Sequence, residues 1–232
     1  MTLPALVIFD MAGTTIEDRG QVPTAFAEAL ATNGITVSAD DITRVRGAAK
    51  RLAIHELVRR SSPGVDRDEA ASRSLADRIY AEFRANLSNA YVKGGVRCVA
   101  GADGVIRDLR SKGVKVALTT GFDRDIATLL LSAMDWTRHT IDAVVCGDDV
   151  PSGRPAPDLI VLAMKLTAVE DAARVANVGD TVLDLESAAR AGVRWNIGVL
   201  SGAHSREALS RAPHTHIIRS VEELPSVVEA GL

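Results

Sequence analysis

Residues 5–15 read ALVIFDMAGTT. Positions 5–9 are apolar with no polar alternation, the pattern of a strand buried on both faces of a parallel sheet. Asp10 ends the run, and Met11, Ala12, Gly13, Thr14 and Thr15 follow it. Ligands collect beyond the carboxyl ends of parallel strands, so Asp10 stands where a functional carboxylate belongs. Similar runs recur at 114–119, 142–146, 174–178, 196–200 and 216–218, with helical spacing at 103–112 and 157–166. Strands alternating with helices predict an α/β fold built on a doubly wound parallel sheet.

The stretch 17–96 breaks this alternation and contains no strand-like run. Val22, Phe26 and Leu30 recur at a spacing of four, and Gly34 supplies a stop. Ser38 and Asp41 fit a capping box ahead of Ile42 and Val45. Gly47 interrupts before Ile54, Leu57 and Val58 resume a helical face, and Pro63-Gly64 reads as a turn. Leu75, Ile79, Phe83 and Leu87 mark a long amphipathic helix. The expected division is a core of 1–16 plus 97–232 and a helical insertion at 17–96, with connecting segments near 16–21 and 91–98.

Composition narrows the function. With 27 basic and 30 acidic side chains the formal charge is −3, which argues against a general nucleic-acid binder. No apolar run reaches the length of a membrane span, and the N-terminus lacks the basic start of a signal peptide. Two distant cysteines, Cys98 and Cys146, suggest no disulfide framework, so a reducing cytoplasmic setting is expected. A core must be filled by Ala, Val, Leu and Ile, because aromatics make up only 3 % of the chain.

Three strand ends carry chemistry: Asp10; Thr119-Thr120-Gly121; and Gly179-Asp180-Thr181, continuing to Asp184. An aspartate ending a strand is commonly only a helix cap, but three carboxylates converging on one edge repel unless a cation lies among them. Hard oxygen donors favour Mg²⁺. Asp10 and Asp180 are the direct ligand candidates, and Asp184 is placed to support them. Arg154, after the third strand, can offer charge to a phosphoryl oxygen, and Thr119 a hydroxyl. Asp10 can also attack phosphorus to give an aspartyl-phosphate.

The segments FDMAGTT (9–15), ALTTG (117–121), GRPAPD (153–158) and VGDTVLDLESAARAG (178–192) resemble the haloacid dehalogenase superfamily, in that family's order and over its whole core. The resemblance implies a Mg²⁺-dependent hydrolase whose inserted cap is the helical stretch 17–96. It makes Asp10 nucleophile and ligand, the Ala12 carbonyl and Asp180 further ligands, and Thr119 and Arg154 holders of the phosphoryl group. Gly13, Thr14, Thr120 and Gly121 would line the substrate site. Typical members carry an acid where this chain has Ala12, and lysine where it has Arg154. Both departures resemble the phosphonoacetaldehyde hydrolase branch, in which a P–C bond has no leaving oxygen to protonate. There a cap lysine in a Gly-x-x-Lys pattern forms an imine; Gly47-Ala48-Ala49-Lys50 is similar. Ala53 and Phe122 replace a histidine and an aromatic hydroxyl of that branch, and Arg46 replaces a methionine. Arg46 is therefore a candidate for an extra anionic substrate group. The branch implies a small phosphonate or phosphorylated metabolite as substrate and a homodimer. Two other readings stand beside this one. One is a phosphate monoester phosphatase, which Ala12 disfavours because general acid help is worth about 10²–10⁴-fold. The other is a non-catalytic protein that binds a phosphorylated metabolite.

Overall fold

Six strands, β1 (Leu6–Asp10), β2 (Lys115–Thr119), β3 (Ala143–Val145), β4 (Val175–Gly179), β5 (Trp195–Val199) and β6 (His216–Ile218), form one all-parallel sheet in the order β3-β2-β1-β4-β5-β6. The structure is a computed structural model that describes residues 3–61 and 69–229; the Pro63-Gly64 turn lies outside them. The four apolar residues of β1 are fully buried, as its unbroken apolar run predicts. Helices α5 (Ala102–Ser111), α6 (Arg124–Ala133), α7 (Asp158–Leu166), α8 (Val182–Ala191), α9 (Arg206–Ser210) and α10 (Leu224–Glu229) accompany the strands.

Register decides what the sheet does with its ends. Asp10 pairs in register with Thr119, and Phe9 with Val178, so Asp10, Thr119 and Gly179-Asp180 emerge side by side. The sheet runs outward in opposite directions from the β1–β4 pair. That is the switch point at which doubly wound sheets bind ligands.

Between β1 and α5 lie α1 (Gln21–Thr32), α2 (Ala39–Arg44), α3 (Lys50–Ser61) and α4 (Glu69–Gly94), with no strand among the described residues. Asn33 ends α1, and Gly34 takes φ 73°, where a side chain would be strained. The Ser38–Asp41 capping box opens α2 as expected. Phe26 of α1 meets Phe83 of α4 at 4.5 Å between ring centroids. The stripe Ile79, Phe83, Leu87 continues to Tyr91, which is buried. For that reason α4 runs to Gly94 and occupies positions 91–94, where a connecting segment was expected.

One contact set ties α4 to the loop after β2. Tyr80 Oη donates to Asp123 Oδ2 at 2.5 Å, and Arg84 Nε lies 2.7 Å from the same oxygen. Asp123 Oδ1 meanwhile caps α6 by accepting from the Ile126 N–H. No helix among the described residues is long and apolar enough to cross a membrane.

Candidate active site

Asp10, Asp180 and Asp184 are all buried, and one ligand oxygen from each lies within 4.8 Å of the others. Backbone geometry forces them together. Asp10 ends β1 and Asp180 follows β4. Thr181 then caps α8 in a reciprocal box with Asp184, whose Oδ2 accepts from the Thr181 N–H and hydroxyl. Asp180 accepts from Thr14 Oγ1 at 3.3 Å and from the Ala203 N–H at 2.6 Å. Gly13 lies at φ 97°, and a Cβ there would stand 2.5 Å from Asp180 Oδ2, so only glycine fits.

Arg154 is the cation among these carboxylates. Its Nη1 donates to Asp10 Oδ1 at 2.6 Å, and its Nη2 to Thr119 Oγ1 at 2.7 Å. Nη1 also lies 2.9 Å from Asp184 Oδ1, but without hydrogen-bond geometry, so that buried oxygen keeps an unspent lone pair. Burial pushes the Asp10 carboxyl up to about 6 against the pull of Arg154, with Asp184 adding to the rise. Burial together with Asp10 and Asp184 pushes Asp180 up to about 8. A donor set of oxygens alone, with one buried acceptor unpaired, fits a hard divalent cation. Ala12 lines a small cavity together with Asp10, Arg154 and Asp180.

A second acidic group, Cys146, Asp148 and Asp149, follows β3. Both carboxylates have partners: Asp149 Oδ2 accepts from the Cys146 N–H and pairs with Arg124, while Asp148 accepts from the Arg124 N–H. These contacts account for the group as loop structure.

The strap between α2 and α3 presses on the loops after β2, β3 and β4. Gly47 adopts φ 88°, and a Cβ on it would lie 2.3 Å from Thr181 Oγ1. Its carbonyl accepts from Arg154 Nη1 at 3.4 Å. The Lys50 N–H donates to the Gly121 carbonyl at 3.0 Å, and a Cβ on Gly121 would come within 2.2 Å of the Ala48 carbonyl. Thr120 is buried, and its hydroxyl accepts from the Phe122 N–H.

Lys50 therefore begins α3 on the wall of a cavity that Asp10 and Asp180 also line, only 6 % exposed. Its Nζ donates to the Ala48 carbonyl at 3.0 Å and stands 5.1 Å from the Phe122 ring centroid. Among the described residues it makes no ion pair with a carboxylate. Burial, with help from Arg46, pulls its amine down to about 8. Arg46 is buried too, and its guanidinium meets Asp18 at 2.5 Å. The structure thus brings Asp10, Ala12, Gly13, Thr14, Arg46, Lys50, Thr119, Thr120, Gly121, Arg154, Asp180 and Asp184 to one place. Arg46 arrives already neutralised by Asp18.

Two spaces adjoin Lys50. A cavity of about 20 Å³ lies against Asp10, Arg154 and Asp180, with room for roughly one water. A chamber of about 430 Å³ lies on the other side, lined by Arg51, Tyr80, Arg84, Asp123 and Pro151 among others; Lys50 and Gly121 border both.

His204 was not legible as a site residue, since no spacing links it to the motifs. It lies beside them in the loop after β5, bonded to Val182 and Thr43. His55 lines a separate surface groove with Glu56 and Arg59.

A family model for haloacid dehalogenase-like hydrolases matches residues 4–192. A phosphonoacetaldehyde hydrolase of Bacillus cereus is 30 % identical over 203 residues, covering 85 % of this chain and 76 % of that protein. One from Lactiplantibacillus plantarum is 28 % identical over 261 residues, covering 99 % and 96 %. Among solved structures, a hydrolase from Pseudomonas syringae superposes with a TM-score of 0.85 at 24 % identity, over 98 % of this chain and 99 % of that one. Motif order, sheet order and these matches agree: the chain belongs to the haloacid dehalogenase-like hydrolases.

Proposed function

We propose that this hydrolase cleaves the C–P bond of a 2-oxoalkylphosphonate, with Asp10 as nucleophile, Lys50 as the imine-forming amine and Mg²⁺ as cofactor. The observation that carries the reading is Lys50: a buried amine with no carboxylate partner among the described residues, lowered to about 8, on the wall of the cavity that holds Asp10. A structural lysine at such a depth would be expected to pair with a carboxylate. Full relatives named phosphonoacetaldehyde hydrolase support the same reading.

Asp10, Asp180 and the Ala12 carbonyl, with Asp184 in support, would hold Mg²⁺, which would supply positive charge to the phosphoryl oxygens. Arg154 and Thr119 orient those oxygens against Asp10. The neutral Lys50 amine adds to the substrate carbonyl carbon, and uptake of one proton from solvent with loss of water leaves a protonated imine. An Asp10 oxygen then attacks phosphorus. The C–P electron pair moves into the imine, giving an enamine on Lys50 and a phosphoryl group on Asp10. Water hydrolyses the acyl phosphate. The enamine takes a proton at carbon, and hydrolysis of the resulting imine frees the carbonyl product and Lys50. No leaving oxygen needs a proton, consistent with Ala12 in place of an acid.

Residues 17–96 would act as a cap over the core formed by 1–16 and 97–232. The small cavity has no room for a phosphonate, so substrate entry requires the strap bearing Lys50 to lift.

The test is borohydride reduction with phosphonoacetaldehyde present. A mass adduct on Lys50, and loss of phosphate release in Lys50→Ala, are expected. Phosphate release that survives Lys50→Ala with no adduct would sink the C–P reading. Comparable turnover on a panel of phosphate esters would then favour the phosphatase reading. Unchanged activity in Asp10→Asn would favour a binding protein.

A further inference from the structure

Three groups of His204 are in use. Its backbone N–H donates to the Asp180 carbonyl at 3.3 Å. Its ring Nδ1 accepts from the Val182 N–H, at the first position of α8, at 2.9 Å. Its ring Nε2 lies 3.1 Å from the Thr43 carbonyl, in the last turn of α2. A ring nitrogen facing an N–H must accept, and one facing a carbonyl must donate. The partners therefore assign the neutral Nε2–H tautomer. The preceding residue, Ala203, donates its N–H to Asp180 Oδ2 at 2.6 Å.

One short loop thus grips Asp180 through backbone and side chain, satisfies a free N–H at the start of α8, and reaches across to the helical insertion. Four residues along the strap, Gly47 seats against Thr181, which also belongs to the stretch between Asp180 and Asp184.

We infer that His204 is a positioning residue that couples seating of the strap 43–50 to the cation site, by tying the Thr43 carbonyl to the Asp180–Asp184 stretch. This rests on the proposed role of Asp180 as a cation ligand. Divalent-cation binding tightens the strap, and by thermodynamic reciprocity a seated strap tightens the cation by the same factor.

The experiment is amide hydrogen exchange of peptides spanning 43–50, with and without saturating Mg²⁺, alongside calorimetric Mg²⁺ titration. No substrate is needed. In the wild type Mg²⁺ should slow strap exchange about fivefold, the size of one net hydrogen bond. In His204→Ala that slowing should largely vanish, and Mg²⁺ affinity should weaken by a similar factor. His204→Gln, whose amide nitrogen can extend toward Thr43, should recover strap protection. His204→Asn, which keeps an acceptor for Val182 but lacks the reach, should not. Should His204→Ala fail to fold by circular dichroism, the Asn and Gln variants carry the comparison. Equal strap protection in wild type and both the Ala and Asn variants overturns the inference. Mg²⁺ that binds without protecting the strap of the wild type removes the inference alone. Absence of Mg²⁺ binding removes both it and the metal reading of the site.

Discussion

Arg154 donates one guanidinium nitrogen to the Asp10 carboxylate at 2.6 Å. Both side chains are buried, and Arg154 also faces Asp184 at 2.9 Å. Arg154 thus offsets part of the negative charge of the strand-end carboxylates. Removing a partner from a buried ion pair leaves uncompensated charge and costs roughly 3–5 kcal/mol. Arg154→Met should therefore lower stability by an amount of that order in denaturant titrations without metal. Millimolar Mg²⁺ should recover much of the loss. A loss insensitive to Mg²⁺ would count against a cation site at these carboxylates.

Lys50 offers a test in pH. Its amine is lowered to about 8 by burial first and Arg46 second. Between that value and the ordinary lysine range, the unfolded chain binds a proton that the folded chain does not, so this group makes stability rise with pH across the window. Below about 8 the folded protein bears the full cost of burying the charge. Lys50→Met should therefore be more stable than the wild type near pH 7, with the difference shrinking as pH approaches 10.5. Because the free amine is the attacking form, borohydride-trapped adduct should form faster as pH rises, with a midpoint near 8. A midpoint near the ordinary lysine value would show an amine that is not desolvated.

Gly47→Ala tests the seating of the strap. The new methyl would sit 2.3 Å from Thr181 Oγ1, at a backbone angle that favours glycine. The strap must lift or Thr181 must move. A fall in kcat/KM of at least tenfold is expected, with a change of only a few degrees in the thermal midpoint, because the clash falls on a loop contact and leaves the apolar core intact. Wild-type kinetics would contradict a closed strap in the reactive state.

Tyr80→Phe removes the hydroxyl that donates to Asp123 at 2.5 Å. A hydrogen bond to a charged acceptor is worth about 1.5–3 kcal/mol. Arg84 and the α6 cap still hold Asp123, so the net cost should fall at the lower end. The signature to seek is faster hydrogen exchange in α4 around position 80, with β1 and β4 unchanged. Uniform acceleration through the sheet would mean that the contact serves global stability instead.

Much of this molecule was readable from local pattern. Largely apolar runs of three to six residues marked the strands, because a parallel strand is buried on both faces. The i, i+4 stripes marked α1 and α4, and Gly34 and Gly47 sit where the backbone turns left-handed. The strand-end aspartates were readable as well, since a parallel sheet gathers strand ends along one edge. The end of α4 was misplaced because Tyr91, one turn beyond Leu87, extends the buried stripe through a polar-looking stretch.

The amino-acid sequence by itself determined the sheet, the helical insertion and the residue types available for chemistry, since periodicity and turn propensity act over a few neighbours. Only the tertiary structure decided that Arg46 is neutralised by Asp18, that Lys50 is buried without a carboxylate partner among the described residues, and that His204 joins Thr43 to the Asp180 loop. Each of these depends on the charge and desolvation supplied by segments distant in the chain, and His204 and Thr43 are 161 positions apart. Local periodicity carries no record of such distances.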